Sequence, residues 1–137
     1  MTVKNLISAI AEALFHEFGA DYEIYTEDVE QGLQEPCFLI RCLNPTKNRH
    51  IGTVYKRTNQ FAIQYIPSTA ESNDECAAIL ERLFECLECV YLYGNVLHGS
   101  ELHGEIKDGI LTFTVNYNGF VLKTEEQANM EELEIIS

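Results

Sequence analysis

Positive charge is scarce in this chain. Nine Lys and Arg stand against 22 Asp and Glu in 137 residues, a formal net charge of −13. Phosphate contacts need clustered Lys and Arg, so the balance argues against an ordinary nucleic-acid-binding domain. It suits a solvated acidic surface, or a channel wall past which DNA slides without sticking. Long apolar runs are missing too. The first apolar stretch, residues 6–18, is interrupted by Ser8, Glu12, His16 and Glu17, and no run approaches the roughly 20 apolar residues that span a bilayer. The expectation is a soluble protein without a signal peptide, made in the cytoplasm. GxGxxG, Walker, HExxH and GxSxG patterns are all absent, which removes the nucleotide-binding, zinc-protease and serine-hydrolase readings that rest on them.

The residues that carry chemistry elsewhere are present but poorly arranged for it. Five cysteines without a secretory signal read as reduced thiols. Cys37 and Cys42 lie at odd spacing in a strand-like run and so point to opposite faces. Cys86 and Cys89 form a CxxC, but within a helical pattern, near its end, and without a second ligand pair. Buried thiols are the better reading than zinc or redox chemistry. Of the four histidines, His16 sits on a helix flank and His50 among basic residues. His98 and His103 are an odd distance apart on a strand, which again predicts opposite faces. Glu27, Asp28, Glu30 and Glu35 lack the alternating oxygens and central Gly of a calcium loop and read as a solvated connector. These observations point to a non-enzyme with no cofactor and no metal.

At 46% hydrophobic composition there is material for one core, and 137 residues suit one domain. Thr2 is a plausible cap for a helix reaching Phe18, with Val3, Ile7, Ile10, Leu14 and Phe18 on one stripe, widened by Leu6 and Ala13, and Gly19 as its stop. Residues 22–25 make a short strand. Residues 37–43 read as a buried central strand that Asn44-Pro45 breaks. A second long strand resumes at Ile51 or Gly52 and runs to Ile66, with Phe61, Ile63 and Tyr65 alternating against Gln60 and Gln64. A second helix is expected from about Asn73 to Tyr91, its apolar stripe running from Cys76 through Leu87 to Val90, with Gly94-Asn95 ending it.

The last third is β-rich. Residues 96–107 carry a repeated Leu-His-Gly (Leu97–Gly99 and Leu102–Gly104) in one irregular strand. Asp108-Gly109 signals a hairpin, and Leu111, Phe113, Val115 and Tyr117 alternate with polar residues. Asn118-Gly119 permits a further turn or bulge before Phe120. The fold class is α+β, a mainly antiparallel sheet with two helices on one face, in the order α-β-β-β-α-β-β with a possible last strand. Residues 1–123 are expected to form the domain, and 124–137 an acidic C-terminal tail that is either mobile or ordered on assembly.

Five of the nine Lys and Arg lie between Arg41 and Arg57. Within that stretch Lys47, Arg49, His50, Lys56 and Arg57 form a cationic loop in an anionic protein, a candidate contact with an acidic neighbour.

Four segments carry a resemblance over nearly the whole chain: IYTEDVEQGLQEPCFLIRCLNPTKNR, YKRTNQFAIQYIP, CAAILERLFECLE and DGILTFTVNYNGFV. Together they resemble the phage tail terminator (tail completion) family, found in phages and prophages of Gram-positive bacteria. The likeness implies a structural subunit that forms a ring, commonly a hexamer, on the tail tube. It implies contacts with the tube protein and a head-completion or connector protein, with DNA as passing cargo. It places the subunit in the host cytoplasm during assembly and in the virion tail afterwards. The competing reading from the residues alone is a small soluble α+β adaptor or ligand-binding domain.

Overall fold

The Thr2 hydroxyl accepts a hydrogen bond from the Asn5 backbone N–H at 3.1 Å, and helix α1 runs Val3–Phe18 from that cap. Gly19, at φ 81°, closes the helix by donating its N–H to the Phe15 carbonyl. The chain then forms strands β1 (Glu23–Tyr25), β2 (Cys37–Ile51) and β3 (Val54–Ile66), helix α2 (Ser72–Cys86), and strands β4 (Cys89–Leu92), β5 (Asn95–Lys107), β6 (Ile110–Leu122) and β7 (Glu134–Ile135). The computed structural model describes residues 2–26, 32–68, 72–123 and 134–135. The carboxylates Glu27, Asp28 and Glu30, and the acidic segment from Thr124 apart from β7, lie outside the described residues.

The sheet order is β1-β2-β3-β6-β5-β4, with β7 also paired to β6. Every pairing is antiparallel except β1 with β2. This is the expected α+β architecture. Alternate residues of the central strands (Phe38 and Ile40, Phe61 to Tyr65, Leu111 to Tyr117) meet both helices in one core. Burial on α1 centres on Leu6, Ile10 and Leu14, with Val3 and Ile7 at the margin. The helices are joined by Arg82, whose Nε donates to Glu17 Oε2 at 2.9 Å and whose guanidinium lies 4.2 Å from the Phe18 ring centre. Polar ties fix α2 to the sheet. The Tyr117 hydroxyl donates to the Leu87 carbonyl at 2.5 Å, and the Tyr65 hydroxyl donates to the Glu75 carboxylate.

Four expectations need correction. The second helix stops at Cys86, not Tyr91, and Val90 buries its side chain from strand β4. Val90 fits the helical stripe by spacing, but Gly94 (φ 76°) and Tyr93 (φ 54°) turn a β4–β5 hairpin there instead of ending a helix. Asn44-Pro45 does not end β2. Asn44 takes φ 43°, and the ladder slips between Leu43 and Thr46 as a bulge before resuming. Asn118-Gly119 makes no turn, because both residues stay paired in register with Thr58 and Arg57. Finally, His98 and His103 share a face. Glu101, at φ 53°, sits in a bulge between Ser100 and His103, and the extra residue cancels the odd spacing.

That bulge explains the repeated Leu-His-Gly. It returns Leu102 to the core side, where Leu97 already is, and leaves both histidines exposed. Each Gly follows its Leu by two residues, where α2 and its end approach the strand most closely. A Cβ on Gly104 would stand 2.3 Å from Leu80 Cδ1, and one on Gly99 would stand 2.9 Å from the Leu87 carbonyl oxygen.

Candidate assembly surfaces

Past the bulge at Leu43, β2 and β3 continue beyond the helices as a hairpin arm. Thr46 to Arg49 pair with Thr58 to Tyr55, and the turn lies at Gly52 and Thr53. The second half of β6, from Asn118 to Leu122, makes the third strand of the arm, and β7 pairs with Val121 and Leu122. Lys123 secures the tip by donating its N–H to the Thr53 carbonyl at 2.8 Å. The cationic residues expected on a loop therefore stand on paired strands. This is a correction with a consequence, because strands sort side chains onto two faces.

The structure divides the five candidates between those faces. Lys47, Arg49 and Arg57 share one with Tyr55, continuing the line of the helix-covered side of the sheet. Lys47 Nζ lies 5.2 Å from the Tyr55 ring centre. The Tyr55 phenol is held below its ordinary pKa, first by a hydrogen bond from Arg49 and then by the charges of Arg49, Lys123 and Lys47. Lys56 lies on the opposite face beside Phe120, and the His50 ring sits 5.1 Å from the Phe120 ring. Lys47, Arg49, His50 and Lys56 are exposed, whereas Arg57 is half-buried. Arg57 donates to Asn59 Oδ1 at 3.2 Å, and the fully buried Asn59 donates to the Tyr117 carbonyl at 3.1 Å. Arg57 thus belongs to the root where the arm joins the core. Sequence reasoning missed Tyr55, Phe120 and Lys123. Their alternation was visible, but the cross-strand register that brings them to the cations was not.

A second surface lies between α1 and β4, the edge strand. A cleft of about 440 Å³ is lined there by Ala9, Ala13, Cys86, Cys89 and Tyr91, with Glu12 and His16 also on its wall. Tyr91, Tyr93 and Val96 stand exposed on the neighbouring β4–β5 hairpin. Burial first, and the Glu17 carboxylate second, push the Cys86 thiol up to about 12, so it stays protonated at neutral pH. Cys89 Sγ and His98 Nδ1 come within 3.3 Å, a pairing hidden in the sequence because it arises from the β4–β5 register. The CxxC is therefore split between the end of a helix and the start of a strand. Among the described residues no group of three or more His, Cys, Asp or Glu is placed to hold a metal ion. No helix among them is long and apolar enough to cross a membrane.

The family model of the phage tail terminator protein matches residues 5–129, from within α1 to beyond β6. The chain belongs to the phage tail terminator family. No curated protein matches it. A tail terminator has a structural part in the phage tail, and the arm and the apolar edge are its candidate contact surfaces.

Proposed function

We propose that this tail terminator closes into a ring on the end of the tail tube, stops addition of further tube subunits, and offers its outer side to the head-joining protein. The observation that carries this reading is the presence of two unlike exposed surfaces, the cationic arm and the apolar α1–β4 edge. A ring needs such a pair, because head-to-tail contacts join one patch to a different one and close by rotation. A sixfold ring is the expected number. The formal charge of −13 suits a lumen through which DNA passes without being held.

Lys47, Arg49, His50 and Lys56 are the assembly contacts on this reading, and Arg57 holds the arm in place. Activity is binding alone, in the host cytoplasm during assembly and then at the tail–head junction. Electron microscopy of purified protein, free and mixed with tubes of its cognate tube subunit, tests the reading. Annular particles or collars at tube ends are expected. Monomers throughout, with bare tube ends at saturating protein, overturn it.

A further inference from the structure

The geometry points to a specific lateral contact, in which the arm of one subunit seats in the α1–β4 cleft of a second copy of this chain, with Ile51 as the apolar plug. The inference rests on the ring reading and names the surfaces that would close it. Ile51 is 70% exposed at the arm tip, and Tyr91 on the cleft wall is 68% exposed. The arm therefore does not fill the cleft of its own subunit, and two apolar surfaces stand in water that a second copy would cover.

Charge selects the same partner. Residues 44–58 contain Lys47, Arg49, Lys56 and Arg57 and no carboxylate. The cleft has the opposite sign. Glu12 lines it, and Glu17 and Glu85 lie close enough for both to raise the Cys86 thiol. Glu17 is already engaged by Arg82, and Glu12 lies 3.7 Å from the exposed His16 on its own helix, a weak pair that an arm cation would displace, with Glu85 nearby. In the contact Ile51 enters between Ala9, Ala13 and Tyr91, while Arg49 and Lys47 meet the carboxylates at the rim. Arm and cleft are different patches, so the contact is head-to-tail, as ring closure requires.

The test uses the full chain carrying Ile51→Cys, since Cys89 already lines the cleft. Mild oxidation of the assembled protein should give a ladder of disulfide-linked multimers on a non-reducing gel, lost when Cys89→Ser is added. In parallel, Arg49→Glu should raise the concentration for half-assembly about five- to tenfold at 0.15 M salt, and adding Glu12→Arg should restore it. Ile51 and Arg49 are both exposed, so these changes leave folding intact. Rings that assemble without the cross-link, and without rescue by Glu12→Arg, overturn this contact and leave the ring reading standing. Failure to assemble under any condition, with bare tube ends, overturns both.

Discussion

Gly104→Ala tests how β5 and α2 meet. The added methyl would stand 2.3 Å from Leu80 Cδ1, 3.0 Å from Cδ2 and 3.2 Å from Cγ. Carbon atoms pack at about 3.5–4.0 Å, so the nearest pair falls short by about 1.2 Å. All three clashes involve one side chain, which must leave its place between helix and sheet or lift the helix. Overpacking of this kind costs about 1–3 kcal/mol, or a fall of roughly 3–12 °C in melting temperature for a domain of this length. Truncating the obstacle should remove most of that cost. In Leu80→Ala, which has its own packing loss, the added Gly104→Ala should cost under about 0.5 kcal/mol, giving a coupling of at least about 0.5 kcal/mol. Gly99→Ala is the contrasting case. Its methyl would meet Val115 Cγ2 at 2.8 Å and also the carbonyl oxygens of Leu87 at 2.9 Å and Glu88 at 3.3 Å, so truncating the side chain would leave the backbone clashes in place. Urea unfolding of the four variants in the Gly104–Leu80 cycle supplies the numbers. A neutral Gly104→Ala with zero coupling would refute the close approach and, with it, the structural account of the repeated Leu-His-Gly.

Alkaline pH should unfold the protein through groups the fold keeps neutral. Burial is the first cause raising Cys86, to about 12 from its ordinary 9.0, and burial also raises Tyr65 and Tyr117 above their ordinary 10.0. Above about pH 9 the unfolded chain therefore binds fewer protons than the folded one, and stability falls as pH rises toward 12. Urea midpoints at pH 7.5, 9 and 10.5 should decline, and a flat series contradicts the burial of these groups. Lys47→Glu with Arg49→Glu should leave the melting temperature within about 2 °C, because exposed charges contribute little to folding. The same pair should weaken assembly, and less so in 0.5 M salt, as sedimentation at two ionic strengths would show. Arg57→Glu should lower the melting temperature as well, through Asn59 at the root of the arm. Deleting residues 125–137 removes β7 and five glutamates. It is expected to impair assembly in the same assay, and unchanged assembly dismisses the tail as a contributor.

Much of the fold was legible because local chemistry and tertiary structure agree. Thr2, Gly19 and Asp108-Gly109 punctuate the chain where caps and turns need them, and Phe61 to Tyr65 and Leu111 to Tyr117 alternate as strands with one covered face. The errors came where pairing overrode a local signal. Asn44-Pro45 and Asn118-Gly119 favour turns, yet the first is absorbed as a bulge between ladder pairs of β2 and the second stays paired within β6. Val90 continues a helical spacing that its own hairpin interrupts. Parity alone puts His98 and His103 on opposite faces, and a single bulged residue reverses that. Of the candidate contacts, the identity of the cations was readable. Their division between two faces, and the separate cleft beside β4, depend on register and on how the sheet meets α1, which composition does not encode.

Arrest of tube growth tests the central claim most directly. Tube subunits polymerising in the presence of this protein should stop at a length set by the ratio of the two proteins, with one collar at the capped end. Capping should saturate at one ring per tube. Tubes that grow at the same rate and to the same length with or without the protein, at concentrations well above one ring per end, would contradict the account.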